Sequence, residues 1–217
     1  MAKTSKRDIG SLRESYTKAV LNKSMLNKNP IKQFTLWFDE AQASKIKEPN
    51  AMSLATAGKK GISTRTVLLK SYDELGFVFY TNYNSNKGKA IAENPKVAVN
   101  FLWKELERQV KIEGRVKKVS KAQSKAYFQS RPRGSQIGAW VSEQSAIIKD
   151  RRILERRKKE IEAQFDGQDV LPVPPNWGGY CIQPKLIEFW QGRESRLHDR
   201  MQYRLSKGVW IIERLSP

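Results

Sequence analysis

The sequence predicts a mainly β protein with helices, an α+β chain whose strands form an antiparallel barrel. Two observations carry this prediction. Apolar residues alternate with polar ones in short segments such as AMSLATA from Ala51 and VAVNFLW from Val97, and short turns join most of these segments. The 217 residues contain no internal repeat and no change of composition that would mark a second domain. Short strands joined in this way favour a barrel with helical additions.

In the first half of the chain, the sequence predicts two helices and a run of antiparallel strands. Asn29 and Pro30 form a helix cap and first turn, and apolar residues follow at helical spacing as far as Ala41. From Ala51 the period becomes two, and a GKKG turn at Gly58 joins two strands into a hairpin. A DELG turn then leads into the strand FVFYT from Phe77, and a short helix is predicted over residues 85–94.

The second half predicts further strands and two helices. VAVNFLW and RQVKIEGRVKKV flank the turn KELE, and a capping box at Ser120 begins a helix that stops at Pro132. A basic helix is predicted from Ile147 to Phe165, with an apolar stripe facing inward. A Pro- and Gly-rich loop starts at Leu171, and YCIQP, LIEFWQG and GVWIIERL are predicted as closing strands.

The domain organisation follows from where large apolar side chains occur. Residues 1–28 are polar and basic, so we expect a flexible N-terminal arm with one anchored stretch, SLRESYTKAVL from Ser11, which has helical potential. Residues 29–217 form a single domain.

Charge and composition limit the function classes. The chain has 41 basic and 22 acidic residues, a net charge of +19, which suits nucleic acid, anionic lipid or small phosphorylated ligands. The basic helix is better explained as a solvated face than as a nucleic-acid surface, because no aromatic residues are interleaved for base stacking.

Cys181 and His198 are the only cysteine and histidine, which excludes an intrachain disulfide and predicts no metal site. No apolar run approaches the ~20 residues that cross a bilayer, and the start lacks a secretory signal, so we expect a cytoplasmic protein.

The usual nucleotide and nucleophile motifs, GxGxxG, GxxxxGK[ST] and GxSxG, do not occur. What remains are cations beside hydroxyl and aromatic side chains, a combination that suits phosphate esters. Three clusters stand out: RTVLLK from Arg65, the Tyr80–Thr81 pair with Lys87, and YFQSRPRGSQIGAW from Tyr127. In the third cluster, Ser135 stands just before a predicted glycine-containing turn. Surface charge explains any one of them equally well, but three together favour binding.

In RTVLLK, strand alternation places Thr66, Leu68 and Lys70 on the face opposite Arg65, Val67 and Leu69, so two faces are available to ligands. The C-terminal segment FWQGRESRLHDR from Phe189 carries the single histidine. Because Arg196, His198 and Arg200 share strand parity, we expect their side chains to point into one pocket.

These segments resemble the pyridoxine/pyridoxamine 5′-phosphate oxidases, the FMN-dependent enzymes that make pyridoxal 5′-phosphate. The resemblance runs from LRESYTK at Leu12 through FYTNYNSNKGKAIAENP, SRPRGSQIGAW and WGGY to FWQGRESRLHDR and the terminal ERLSP, nearly the whole chain. It implies a split β-barrel of the FMN-binding type and a homodimer whose two FMN sites are each built from both chains. It also implies oxidation by O2 with release of H2O2, and of ammonia from the amine substrate.

The resemblance assigns site residues. FMN contacts are implied for Arg65, Thr66, Val67, Leu68, Leu69, Lys70, Tyr80, Thr81, Lys87, Gln109, Gln144, Ser145, Trp190 and Arg200. Substrate contacts are implied for Arg13, Tyr16, Lys70, Tyr127, Arg131, Ser135, Arg196 and His198, of which Arg196 and His198 are the catalytic pair beside the pyridine ring. Arg13 and Tyr16 lie in the N-terminal segment, which can fold over the site as a lid.

One departure from the family pattern and two other hypotheses remain open. Asn86 stands where the family commonly has an arginine before Lys87, so one cation is missing near the FMN phosphate unless a neighbour such as Lys89 replaces it. A flavin reductase or another flavoprotein of the same architecture is the second hypothesis, since fold does not fix chemistry. A basic binding module for nucleic acid or pyridoxal phosphate is the third, and steep salt dependence without flavin would favour it.

Overall fold

One long strand organises the sheet. The computed structural model describes residues 11–12 and 14–217. Its strands are β1 (Ala51–Gly58), β2 (Gly61–Leu68), β3 (Ser71–Asp73), β4 (Gly76–Asn82), β5 (Lys96–Trp103), β6 (Arg108–Lys118), β7 (Trp177–Gln191), β8 (Asp199–Ser206) and β9 (Val209–Leu215). The α-helices in the described part are α1 (Pro30–Ala43), α2 (Asn86–Glu93), α3 (Lys121–Ser130), α4 (Arg133–Val141) and α5 (Arg152–Gln164). Short 3₁₀ helices lie at Lys23–Met25, Lys104–Leu106 and Glu194–Arg196.

The strands form an antiparallel sheet with the order β2-β1-β5-β6-β7-β4-β3. Strand β7 pairs with β6 along one edge, while its other edge is shared between two strands. Residues 177–182 pair with β4, and residues 186–191 pair with β8, which continues to β9. The sheet therefore divides at β7 into a barrel wall and a C-terminal extension, as in a split barrel.

Caps and turns form where the sequence predicts them. The Asn29 side chain accepts the Ile31 and Lys32 backbone N–H groups at 2.7 and 3.2 Å, and Ser120 Oγ accepts the Gln123 N–H at 3.0 Å. The hairpin of β1 and β2 closes with Gly58 opposite Gly61, as the GKKG turn predicts. None of the helices in the described part is long and apolar enough to span a membrane.

Four expectations about elements are wrong. RGSQIGAWV is helix α4 and not a turn, because Ile137 and Val141 are buried despite the two glycines. Helix α5 begins at Arg152, and Ile147 is fully exposed outside it. The predicted strands YCIQP and LIEFWQG are one strand. No helix occurs between residues 14 and 21.

Pro184 shows why the two predicted strands join. It pairs with Gly114 where the register of β6 and β7 shifts, so the proline occupies an irregular position in an otherwise continuous strand. A Cβ atom at Gly114 would lie 2.2 Å from the Gln183 carbonyl oxygen, so only glycine fits opposite this bulge.

The main core lies between helix α1 and the sheet. The Phe34 ring meets the Phe77 ring edge-on with centroids 4.9 Å apart, and Trp37 meets Phe189 at 5.1 Å. Leu21 is only 4% exposed and belongs to this core, although it precedes the predicted domain boundary at residue 29. A second cluster of Phe128, Ile137, Val141, Phe165, Leu171 and Trp177 joins the later helices to the start of β7.

Candidate functional site

A cavity of about 630 Å³ lies between the barrel and helices α3 and α4. Its lining includes three cationic residues, Lys70, Lys87 and Arg131, and no Asp or Glu occurs among the described residues that line it. The remaining lining residues are Thr66, Val67, Leu68, Tyr80, Thr81, Asn82, Tyr127, Pro132, Ser135, Gly138, Ala139, Ser142, Gln144 and Trp177. We call this space the cationic cavity. Its uncompensated positive charge suits an anion.

Lys87 is the most buried of the three cations, with only 8% of its surface exposed. It lies in the first turn of α2, which Ser85 caps by accepting the Gly88 N–H. Its Nζ atom donates to Thr81 Oγ1 at 3.3 Å and to Gln144 Oε1 at 3.2 Å, both uncharged oxygens. Burial, and then the nearby charge of Arg65, lowers the pKa of Lys87. A bound anion would supply the counter-charge that these contacts lack.

Arg131 has an unused donor in the same cavity. The guanidinium lies 5.0 Å from the Trp177 ring centroid, and its Nη1 atom is buried without a hydrogen-bond partner among the described residues. Burial lowers the pKa of Arg131. Because buried donors are nearly always paired in folded proteins, this atom indicates a ligand oxygen.

Aromatic rings form one wall of the cationic cavity. The Tyr80 ring stacks on Tyr127 at 4.0 Å between centroids and on Trp177 at 5.3 Å. Burial, and then Tyr127, raises the pKa of Tyr80, so its hydroxyl stays protonated as a possible donor. The wall offers flat apolar surface beside the cations.

Only some residues of the RTVLLK segment line the cationic cavity. Thr66, Leu68 and Lys70 line the cationic cavity, as strand alternation predicts for one face, and Val67 reaches it as well. Leu69 is buried in the main core. Arg65 does not line the cavity, and its Nη1 atom donates to Thr56 Oγ1 at 2.8 Å and to the Leu54 carbonyl at 3.2 Å.

In the segment after α4, Gln144 lines the cationic cavity, whereas Ser145 does not line it and contacts the start of α2. Gln144 Oε1 also accepts Thr81 Oγ1 at 2.9 Å, and Ser145 Oγ accepts the Asn86 N–H at 3.2 Å. Lys89 is exposed and does not line the cavity, so it does not replace the cation missing at Asn86. Arg13 lies outside the described residues.

A second group of implied cofactor residues lies on β6, β7 and β8. Gln109, Trp190 and Arg200 face one another in register and line a smaller cavity of about 290 Å³. Here the cations are paired: Glu188, 5% exposed, accepts Arg200 Nε at 2.7 Å and pairs with Lys111 Nζ at 3.1 Å. Burial alone would raise the pKa of Glu188, but the hydrogen bonds from Arg200 and Lys111 lower it overall. We call this region the paired face.

Tyr16, Arg196 and His198 line a third cavity of about 600 Å³. The His198 ring lies 4.6 Å from Trp190 and 5.8 Å from Tyr16, measured between centroids. The expectation that Arg196, His198 and Arg200 share one pocket is wrong within a single chain. Arg196 lies in the turn before β8, and its φ of 62° interrupts the regular alternation of side chains along a strand. Arg200 lies on the paired face instead.

Several residues of these sites were missed by sequence reasoning. Trp177, Asn82 and Ser142 line the cationic cavity, and Glu188 holds Arg200. The WGGY segment already contained Trp177, but nothing in the sequence showed that it faces the cations of another element. Glu188 lies two residues before Trp190 on β7, so both side chains are on the same face of the strand. This spacing was the sequence signal that could have placed Glu188 in the site.

Solved structures with a similar fold confirm the architecture. The structure of PhzG from Burkholderia lata in complex with tetrahydrophenazine-1-carboxylic acid has a TM-score of 0.84 and 29% identity, covering 91% of this chain and 98% of that one. A pyridoxamine 5′-phosphate oxidase-related, FMN-binding protein from Nostoc punctiforme has a TM-score of 0.70 at 16% identity, covering 88% of this chain and all of the other. The class is therefore the split-barrel fold of FMN-binding type.

Sequence comparison identifies the family. Residues 38–165 match the model described as pyridoxamine 5′-phosphate oxidase, and residues 177–217 match the pyridoxine 5′-phosphate oxidase C-terminal dimerisation region. The pyridoxine/pyridoxamine 5′-phosphate oxidase of Acaryochloris marina is 54% identical over 96% of this chain and 95% of its own length. That of Rippkaea orientalis is 56% identical over 97% and 100%. The chain belongs to the pyridoxine/pyridoxamine 5′-phosphate oxidase family, whose members are oxidoreductases.

Proposed function

We propose that this chain oxidises pyridoxamine 5′-phosphate and pyridoxine 5′-phosphate to pyridoxal 5′-phosphate, with FMN as cofactor and O2 as electron acceptor. The alcohol gives up two electrons and two protons, which reduce O2 to H2O2. The amine route also consumes one water and releases ammonia. The observation that carries the proposal is the cationic cavity, where Lys87 and Arg131 Nη1 lack an anionic partner among the described residues.

The residues present fit FMN. Its phosphate monoester needs cations and hydroxyl donors, which Lys87 and Thr66 provide, and Gln144 and Ser145 lie beside them. Thr81 would also donate to the phosphate once its hydroxyl turns away from Gln144 Oε1. On the paired face, Gln109, Trp190 and Arg200 offer an aromatic ring and hydrogen-bonding groups whose charge is already balanced, which suits the uncharged ring portion. When bound, FMN supplies the two-electron acceptor that no protein side chain provides.

The substrate phosphate is assigned to the other part of the cationic cavity. Lys70, Tyr127, Arg131 and Ser135 line it together, and the buried Nη1 atom of Arg131 is the donor that a phosphate oxygen would satisfy. Arg196 and His198 are assigned to the reacting end of the substrate, which they orient while the phosphate is held.

A homodimer explains why the assigned residues form separate groups. The cationic cavity, the paired face and the cavity of His198 share no lining residue within one chain. A two-fold dimer through the dimerisation region would bring the paired face of one chain to the cationic cavity of its partner. We also propose a cytoplasmic location, which suits the single unpaired cysteine.

The test is a substrate panel with the purified protein. We expect a yellow protein that releases FMN on denaturation and forms H2O2 with the two phosphorylated vitamers but not with pyridoxine or pyridoxamine. Equal rates on the unphosphorylated compounds would contradict the role of the cationic cavity. A flavoprotein acting on another substrate is the second candidate, favoured by the similarity to PhzG, and FMN binding without activity on either phosphate ester would support it.

A further inference from the structure

The turn between β7 and β8 folds back onto His198. Ser195 and Arg196 both adopt left-handed backbone conformations, with φ of 53° and 62°, and the Leu197 N–H donates to the Glu194 carbonyl at 3.0 Å. This reversal brings the start of the turn against the imidazole. The backbone N–H of Arg193 donates to Nδ1 of His198 at 3.1 Å.

That hydrogen bond decides which ring nitrogen carries the proton. A nitrogen that accepts a hydrogen bond has its lone pair free, and a neutral imidazole has one proton, which must then be on Nε2. We propose that the turn fixes His198 as the neutral Nε2–H tautomer, so that it acts in the reaction as a hydrogen-bond donor and not as the proton acceptor. To accept a proton at Nε2, the ring would need its proton on Nδ1, where two donors would face each other.

The charged groups around the ring favour a neutral imidazole. Among the described residues, Glu14, Arg193 and Arg196 are the charged side chains that line its cavity, two cations against one carboxylate. The neighbouring Asp199 carboxylate is already engaged by the Leu21 N–H, Arg193 and Arg214. Burial, and then the charge of Arg196, lowers the pKa of His198. The Tyr16 and Trp190 rings pack against the imidazole, which is half-buried.

The consequence for chemistry rests on the proposed function. If His198 meets the reacting end of the substrate, its Nε2–H donates to the alcohol oxygen or the amine nitrogen. The proton that the alcohol or amine loses then leaves through water or another group. His198 is thereby an orienting donor in this chain, and the backbone of Arg193 determines that role.

Because the chain contains a single histidine, the tautomer can be observed directly. We would label the full-length protein with ¹⁵N-histidine, purify it without a polyhistidine tag, and record imidazole ¹H–¹⁵N correlations with and without FMN at about pH 7 to 8. We expect one ring, protonated at Nε2 and unprotonated at Nδ1. The Nδ1–H tautomer, an averaged mixture of tautomers, or a doubly protonated ring would overturn the proposal. This measurement needs no turnover, so it stands even if the proposed function fails.

Kinetics with two variants test the role. His198→Gln keeps a side-chain donor, whereas His198→Ala removes it. We expect His198→Ala to lower kcat/KM for pyridoxine 5′-phosphate about tenfold, the effect of one lost hydrogen bond, and His198→Gln to recover part of that loss. The pH profile of kcat/KM for His198→Gln should keep the acidic and alkaline limbs of the profile of the unmodified chain. Equal losses of about 10²- to 10⁴-fold in both variants, with a limb removed, would show a general base instead. FMN content is measured in each variant, so that cofactor loss is recognised.

Discussion

The cationic cavity and the paired face handle positive charge in opposite ways. In the paired face, Glu188 contacts both Arg200 and Lys111, and Glu113 also contacts Lys111, so two carboxylates balance two cations before any ligand arrives. In the cationic cavity, Lys87 contacts only neutral oxygens and Arg131 leaves Nη1 unpaired within the described residues. We therefore expect fold stability to depend on the counter-ion in the paired face, and ligand affinity to depend on the absence of a counter-ion in the cationic cavity.

Removing the counter-ion of the paired face should have the largest effect. Glu188→Gln leaves Arg200 and Lys111 without their buried carboxylate, and we expect a loss of about 3 kcal/mol in the free energy of unfolding of the FMN-free protein. This is the low end for a broken buried pair, because both cations remain partly exposed. Denaturant unfolding measures it. Glu113→Gln is the matched control, since Glu113 is half exposed and pairs with the same Lys111, and it should cost less than about 1 kcal/mol.

Removing a cation from the cationic cavity should weaken FMN binding and leave the free energy of unfolding unchanged. We expect Lys87→Met to weaken FMN binding about ten- to a hundredfold, the effect of roughly 1.5 to 3 kcal/mol for a hydrogen bond to a charged group. The free energy of unfolding without FMN should not fall, because no ion pair is broken. Flavin fluorescence titration measures affinity. Lys89→Met, on the exposed side of the same helix, should bind FMN normally, and equal weakening in both variants would refute the distinction.

Arg131 tests the assignment of the substrate phosphate. Arg131→Ala should raise the KM for pyridoxine 5′-phosphate about ten- to a hundredfold while FMN content stays constant. Arg133→Ala is the control two residues away, because its guanidinium donates to the Phe165 and Gln168 carbonyls and does not line the cavity. That variant should lose stability and keep its KM. An unchanged KM in Arg131→Ala would remove this residue from the phosphate site.

The pH dependence of stability should show the smallest effect. The net lowering of the pKa of Glu188 means that its ion pairs stabilise the fold above the ordinary glutamate pKa of about 4.3. This contribution is lost as the pH falls through the lowered pKa, when the folded protein must also protonate Glu188. The stability difference between the unmodified chain and Glu188→Gln should therefore shrink on acidification. A difference that stays constant down to acid unfolding would contradict the assigned ion pairs.

Local sequence signals predicted most elements and missed those that depend on packing. The caps at Asn29 and Ser120 and the turn between Gly58 and Gly61 form as expected, because each rests on a hydrogen bond or backbone geometry within a few residues. Helix α4 was missed because its two glycines and preceding proline are typical of a turn. Ile137 and Val141 of this helix pack with Phe165 and Leu171 in the second core cluster, a tertiary contact that local sequence signals do not contain.

The site shows the same division. Sequence reasoning found the clusters of cations, hydroxyls and aromatic rings, and the family resemblance assigned them to FMN and substrate; those individual roles remain predictions. It failed for Arg196, His198 and Arg200, since strand parity does not extend through a turn with two left-handed residues. Sequence reasoning also missed Glu188, because its ion pairs are made with residues of β6 and β8, the two strands beside β7.

The amino-acid sequence by itself determined the barrel class and the local caps and turns, and it indicated an anionic ligand, because these depend on periodicity, on contacts a few residues long and on net charge. Tertiary structure alone decided which cations have counter-ions and which donors are left unpaired. Those properties arise when distant segments meet, as Lys87 meets Gln144 and Glu188 meets Arg200, and no spacing in the sequence contains them.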